Sequence, residues 1–116
     1  MKYSIGIDIV DVKRIARLMR DHGFLKRVFT DDEIKACLSR RSPEQGLSRI
    51  FAAKEAFFKA MNLGRGVRWK DIEVGISKGK NTILYKDKDG QKAFNKKVHL
   101  TVAGTSSVAI ALVVAE

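Results

Sequence analysis

The sequence is poor in the residues that build cross-linked or metal-centred proteins. Cys37 is the single cysteine among 116 residues, which excludes an internal disulfide framework and a cysteine-rich zinc site. The two histidines, His22 and His99, leave little material for a histidine-based metal site. A single proline and a hydrophobic content of 45% argue against a disordered chain. We therefore expect one domain over residues 1–116 with a core of its own.

Long apolar runs are also absent. No apolar stretch approaches the length that a membrane-spanning helix needs, and no signal-peptide region follows Lys2. These absences predict a soluble, cytoplasmic protein that does not work at a membrane.

Negative charge is scarce relative to positive charge. Lysines and arginines number 23 against 13 aspartates and glutamates, which gives a formal net charge of +10. Such an excess indicates a polyanionic partner, which includes nucleic acids, anionic lipids, phosphate-rich cofactors and acidic proteins. The basic residues match no standard nucleic-acid module and lack interleaved aromatics, so we expect no nucleic-acid partner.

The β-branched residues 3–10 predict a strand that joins a later sheet. A helix is predicted over residues 12–22, with Asp11 as its N-cap and Gly23 as its end, followed by a short apolar turn over residues 24–29.

Two helix starts follow. Thr30 and Glu33 form a capping-box pattern that begins a helix to about Ser39. Pro43 suits the first position of the longest predicted helix, which runs to Met61.

The second half of the chain has the two-residue period of strands. Strands are predicted over residues 72–76, 82–85, 98–102 and 108–115, with turns at 78–81 and 88–90 and a short helix over 91–97. The last strand is almost continuously apolar, which predicts burial on both faces. The fold class is therefore α+β, with helices packed on a mainly antiparallel sheet.

Two carboxylates have no evident structural duty. Asp8 interrupts the apolar first strand, and it either caps a helix, lies at the strand's exposed end, or serves as a ligand. Glu55 and Lys59 lie one helical turn apart beside Ala52, as a surface salt bridge or as part of a site in which alanines leave room for a substrate. Asp8 and Glu55 together would suit Mg²⁺, with Lys59 holding a phosphate.

Other cations are candidates for anion recognition. The first predicted helix has a basic face that includes Arg14, Arg17 and Arg20, and guanidinium groups suit carboxylates and phosphates. The loop at residues 63–66 follows the longest helix, and the backbone N–H of Gly64 there could contact a phosphate.

Four segments carry a resemblance to a known family: residues 6–10 (GIDIV), 29–33 (FTDDE), 51–60 (FAAKEAFFKA) and 69–74 (WKDIEV). Their order and spacing resemble the holo-[acyl-carrier-protein] synthases, the small 4′-phosphopantetheinyl transferases. The resemblance implies transfer of the 4′-phosphopantetheine arm from coenzyme A to a serine of apo-acyl carrier protein. Adenosine 3′,5′-bisphosphate would be the by-product, and the reaction would serve fatty acid biosynthesis.

The resemblance also implies residue roles. Asp8 and Glu55 would hold Mg²⁺ against the coenzyme A pyrophosphate, and Lys59 would contact the phosphate under attack, so these three are the expected catalytic residues. The acidic carrier protein would dock on cations of the first helical region, which are Arg14, Arg17, Arg20 and Arg27. Members form homotrimers with sites between subunits.

Two positions depart from the family pattern. Ile50 replaces a basic residue, with Arg49 one position earlier, and Gly104 replaces a histidine before Thr105. With these departures, the resemblance implies coenzyme A binding by Arg49, Lys54, Lys59, Gly64 and Thr105. The alternative is a degenerate, non-catalytic relative that binds a carrier protein but handles coenzyme A poorly.

Overall fold

The structure is a computed structural model that describes residues 2–64, 66–86 and 97–116. The predicted turn at residues 88–90 lies outside these ranges, as does the predicted helix at 91–97 except for its last residue. In the described ranges the elements follow one another as β1 (Ser4–Asp11), α1 (Val12–Leu18), α2 (His22–Val28), α3 (Asp31–Leu38), α4 (Pro43–Met61), a short 3₁₀ helix (Trp69–Asp71), β2 (Ile72–Ser77), β3 (Lys80–Tyr85), β4 (Val98–Gly104) and β5 (Val108–Ala115).

The prediction of one helix over residues 12–22 was wrong, because the first helix ends at Leu18 and a second begins at His22. Asp11 caps α1 as expected, because its side chain accepts a hydrogen bond from the Lys13 amide at 3.1 Å. A second N-cap, Asp21, accepts from the Gly23 amide at 2.8 Å and starts α2. Gly23 therefore lies in the first turn of a helix instead of ending one, and the predicted apolar turn is the buried face of α2.

The α+β fold class is confirmed. Strands β1, β5 and β4 form an antiparallel sheet in that order, and β2 and β3 form a separate antiparallel hairpin. The first strand joins the last one, as predicted, with Asp8 opposite Ala111. Helix α4 packs across the inner face of β1 and β5.

The alanines of α4 make room for the sheet, which corrects their predicted role as space for a substrate. Ala52, Ala56 and Ala60 are buried. At Gly6 the backbone of β1 comes so close to α4 that a Cβ would collide with the Ala56 carbonyl and lie 2.7 Å from the Ala60 nitrogen. Small residues on both elements are therefore required by the close packing of strand on helix.

The prediction that β5 is buried on both faces was also wrong for a single chain. Its residues alternate between buried and exposed, because α4 covers one face of the sheet only. The uncovered side has an exposed set that we call the apolar sheet face: Ile5, Ile7, Ile9, Ile110 and Leu112. Within the part of the chain that the structure describes, no helix is both long and apolar enough to cross a bilayer.

Candidate active site

Asp8 and Lys59 meet where α4 crosses β1. Lys59 Nζ lies 3.1 Å from Asp8 Oδ1 and donates a second hydrogen bond to the Ile7 carbonyl at 3.0 Å. The Asp8 side chain is 17% exposed and that of Lys59 is 53% exposed, so the pair opens to solvent on the lysine side. Lys59 therefore pairs with Asp8 of β1. The alternative that its spacing suggested, a salt bridge to Glu55, is not the contact that Lys59 makes.

Asp8 is neither a helix cap nor a residue at the strand's end. It lies within β1 and is paired with Ala111, while Asp11 supplies the cap of α1. Of the interpretations that its sequence position left open, a ligand role is the one that this placement favours.

Glu55 belongs to the same electrostatic cluster. It is half-buried on α4, and its pKa is raised by burial and by the negative charge of Asp8. Lys59 and Arg14 act in the opposite direction and lower that pKa. The structure therefore brings Asp8, Glu55 and Lys59 together, which sequence spacing alone could not establish.

The two carboxylates fit a magnesium ion by their chemistry. They supply hard oxygen donors, and their mutual repulsion in a half-buried place is what a divalent cation would relieve. Mg²⁺ commonly takes one or two carboxylates and completes its octahedral shell with water and phosphate oxygens. In residues 2–64, 66–86 and 97–116 no group of three or more metal-ligating side chains occurs, so Asp8 and Glu55 would be a minority of the ligands.

Arg14 of α1 borders this cluster, because its charge acts on Glu55. The Arg14 guanidinium lies 6.0 Å from the centre of the Phe51 ring, on the side of α4 that α1 covers. Arg17, Arg20 and Arg27 are exposed with it. This surface is available to an acidic partner.

Lys54 lies elsewhere. Its side chain is fully buried, with Nζ 2.7 Å from Glu33 Oε1 and hydrogen bonds to the carbonyls of Val28 and Trp69. Burial lowers the pKa of Lys54, and the Glu33 carboxylate acts against that shift. Because all three ammonium protons have partners inside the protein, this placement leaves none for a cofactor.

Of the other expected coenzyme A residues, Arg49 is half-buried and Gly64 and Thr105 are exposed. An added Cβ at Gly104 would lie 3.0 Å from Arg49 Nε, so Arg49 occupies the space over Gly104. Thr105 Oγ1 accepts hydrogen bonds from the amides of Ser107 and Val108, each at 3.1 Å, and shapes the turn between β4 and β5. Gly64 is exposed in the loop after α4.

Sequence reasoning missed two features near Ile50 and Glu33. A cavity of about 480 Å³ lies between α3, α4 and the β2–β3 hairpin, and Ile50, Cys37 and Leu84 are among its lining residues. Glu33 was recognised only as a capping residue, although it also forms the buried pair with Lys54. The only sequence signal for the cavity or for the buried pair was the composition of α4, which has more alanine and fewer polar residues than a solvent-exposed helix needs.

The comparisons with known proteins agree with this geometry. Residues 4–113 match the sequence model of the 4′-phosphopantetheinyl transferase superfamily, and the chain belongs to that superfamily. A holo-[acyl-carrier-protein] synthase of Koribacter versatilis is 40% identical over 124 aligned positions, which cover 100% of this chain and 99% of the relative. One of Leptospira biflexa is 43% identical over 99 positions, covering 81% and 77%.

Solved structures lead to the same family. The holo-[acyl-carrier-protein] synthase of Neisseria meningitidis aligns with a TM-score of 0.79 at 32% identity, covering 97% of each chain. That of Helicobacter pylori, solved in complex with coenzyme A, aligns with a TM-score of 0.79 at 30% identity, covering 97% of this chain and 99% of the other. Within the superfamily, the chain is thus a member of the holo-[acyl-carrier-protein] synthases.

Proposed function

We propose that this protein transfers the 4′-phosphopantetheine arm of coenzyme A to a serine hydroxyl of an apo-acyl carrier protein. The observation that carries the proposal is the cluster of Asp8, Glu55 and Lys59, which lies in the segments that resemble the family. Relatives are named for this activity, and the Helicobacter pylori structure contains coenzyme A. Fatty acid biosynthesis in the cytoplasm is the setting that we propose.

The reaction replaces the phosphoanhydride bond of coenzyme A with a phosphoester bond to serine. The serine oxygen forms a bond to the phosphorus that bears the pantetheine arm, and the pyrophosphate bond to adenosine 3′,5′-bisphosphate breaks. The serine proton leaves to solvent or to a base, and the leaving phosphate takes the bonding electron pair. Positioning and charge neutralisation dominate such transfers.

Each side chain of the cluster has a role in this proposal. Asp8 and Glu55 would hold Mg²⁺, which when bound would neutralise charge on the pyrophosphate. Lys59 is half-exposed beside Asp8, so its ammonium can contact a phosphate that approaches from solvent.

Coenzyme A binding is proposed for Lys59, Arg49, Gly64 and Thr105. The Arg49 guanidinium lies against Gly104, next to Thr105, and it offers charge to a phosphate. Lys54 is omitted because its ammonium group is enclosed.

The carrier protein would dock on the basic surface of α1, α2 and the connection between them. Arg14, Arg17, Arg20 and Arg27 present guanidinium groups there, and acidic partners are attracted to such a surface at long range. The net charge of +10 is consistent with an acidic partner.

The apolar sheet face supports self-association, and we propose the homotrimer that the family resemblance implies. Ile5, Ile7 and Ile9 are 65%, 58% and 66% exposed along one strand, next to Ile110 and Leu112. Soluble monomers rarely expose a contiguous patch of this kind. Asp8 lies on the opposite, α4-covered face of β1, so a subunit on the apolar sheet face would contact the strand that carries Asp8 and not the Asp8 side chain.

The test is a transfer assay with coenzyme A, Mg²⁺ and an apo-carrier protein, read by mass spectrometry of the intact carrier. We expect the carrier to gain the mass of the phosphopantetheine arm, and a chelator of divalent cations should prevent the gain. No added mass on several carrier proteins would overturn the proposal.

One observation favours the alternative of a degenerate relative that binds a carrier but handles coenzyme A poorly. Ile50, where the family resemblance expects a cation, is buried in the core and offers no charge. Calorimetry separates the two: measurable coenzyme A binding with Mg²⁺ supports the enzyme, and carrier binding without coenzyme A binding supports the degenerate relative.

A further inference from the structure

The buried ion pair of Lys54 and Glu33 has no role in the proposed transfer. The two side chains are 0% and 1% exposed, and their charged atoms lie 2.7 Å apart. Taking both charges out of water is costly, and an apolar pair of similar size often stabilises a fold as well or better. Stability alone therefore does not explain why charged residues lie here.

Lys54 joins α4 to two other segments through its ammonium group. It donates to the Val28 carbonyl, at the last residue of α2, at 2.7 Å. It also donates to the Trp69 carbonyl, at the first residue of the 3₁₀ helix, at 3.1 Å. Apolar side chains could fill this space, but they could not make these directional bonds.

Glu33 connects the pair to the remaining neighbours. Its Oε1 accepts from the Thr30 amide at 2.8 Å, which closes the N-terminus of α3. Its Oε2 accepts from the Val74 amide in β2 at 2.7 Å. Two side chains thus fix α2, α3, the 3₁₀ helix and β2 against α4.

The segments joined in this way carry the two halves of the proposed site. Glu55 directly follows Lys54 on α4, and Lys59 lies one turn later. The exposed Arg27 lies one residue before Val28, whose carbonyl Lys54 binds. The Lys54–Val28 bond therefore sets the distance between a cation for the carrier protein and the carboxylates of the reaction.

We propose that the Lys54–Glu33 pair is a positioning device for the carrier protein, which holds α2 in register with Glu55 and Lys59. The inference rests on the proposed function. It predicts that loss of the pair weakens use of the carrier protein and leaves use of coenzyme A nearly unchanged, because the Lys59–Asp8 contact lies on the other side of α4, toward β1.

The test uses the double variant Lys54→Met with Glu33→Gln, which keeps side-chain size and leaves no buried charge unpaired. We expect a folded protein whose KM for the carrier protein rises about tenfold, an effect typical of losing well-oriented contacts. Its KM for coenzyme A should stay within about twofold, since those contacts are not altered. A purely structural role would not separate the two constants.

Val113→Ala serves as the matched control, because Val113 is fully buried in β5 and lies in none of the proposed sites. It should lower the unfolding temperature and leave both KM values unchanged. Amide hydrogen exchange gives a second readout that needs no activity: the double variant should exchange faster in α2 and at residues 69–74, with β1 and β5 unchanged.

Two results would overturn the inference. One is a folded double variant whose carrier KM equals that of the wild type or rises together with its KM for coenzyme A. The other is unchanged exchange in α2. If the wild-type protein transferred nothing, the proposed function would fail instead, and the exchange of α2 would still decide whether the pair fixes that helix.

Discussion

Two lysines of α4 form ion pairs of opposite character. Lys54 is enclosed with Glu33, and every polar atom of the pair bonds to protein. Lys59 reaches Asp8 from the surface and keeps half of its side chain in solvent. The first pair is costly to break and closed to ligands, whereas the second contributes little to folding and is open to them. The comparison shows that burial, and not residue type, separates a structural lysine from a candidate catalytic one.

Replacing each lysine separately tests most directly whether the two pairs contribute differently to stability. Lys54→Ala should lower the free energy of unfolding by about 3–5 kcal/mol, because it leaves the Glu33 carboxylate buried and unpaired. Lys59→Ala should change it by less than about 1 kcal/mol, because that pair is partly solvated. Urea denaturation measures both, and equal losses would contradict the distinction.

The next prediction concerns Glu55, the second carboxylate of the cluster with Asp8 and Lys59. Glu55→Gln should lower kcat/KM about a hundredfold, as removal of a charge-stabilising group in an active site commonly does. Steady-state transfer assays measure this, with Glu116→Gln at the exposed C-terminal strand end as the control. Wild-type turnover by Glu55→Gln would remove Glu55 from the site.

The same variant has a pH-dependent effect on stability whose sign follows from the raised pKa of Glu55. The raised pKa means that the ionised form opposes folding, so stability is lost as pH rises through the folded-state pKa. Glu55→Gln should therefore unfold at the same or a higher temperature than wild type at neutral pH. A lower unfolding temperature would indicate that the carboxylate stabilises the fold.

A further prediction tests whether a neighbouring subunit packs on the apolar sheet face. Ile7→Lys places a charge in the centre of the apolar sheet face and should dissociate the proposed trimer, because a buried unpaired charge is unfavourable. Light scattering after size-exclusion chromatography measures the mass. Leu38→Lys is the control, since Leu38 is also exposed but lies on α3, away from this face. A monomeric wild type would contradict the assembly.

The smallest effect is expected at Cys37, whose reactivity reports on the buried Lys54–Glu33 pair. Burial raises its pKa to about 11, with a contribution from the charge of Glu33. Alkylation of the folded protein at about pH 8 should therefore be far slower than in urea, because the thiolate is scarce. Glu33→Gln should lower the pKa and speed the reaction slightly. Equal rates in folded and unfolded protein would show that Cys37 is accessible.

Local signals in the sequence predicted most of the elements correctly. The capping box of Thr30 and Glu33 is formed, and Pro43 starts α4 as expected. Asp21 was overlooked because Gly23, two residues later, is also a common helix terminator. The choice between cap and terminator depended on the burial of Phe24 and Val28, which no local pattern records.

Long-range contacts explain what the sequence could not predict about the site. Lys54 and Lys59 both lie in the apolar stretch 51–61 of α4, and it is the packing of α2, β2 and the 3₁₀ helix that encloses the first of them. In β5, residues on both faces are apolar, so the composition of Val108–Ala115 hides the alternation that burial reveals.

The contacts around Gly104 couple changes at that position to changes at Arg49. A Cβ at position 104 would lie 3.0 Å from both Arg49 Nε and the Val108 carbonyl, so the guanidinium must shift by a few tenths of an ångström and the backbone oxygen must also give. A substitution that shortens Arg49 removes the first contact and leaves the second. The cost of a side chain at position 104 therefore depends on the residue at position 49, and the two positions are epistatic.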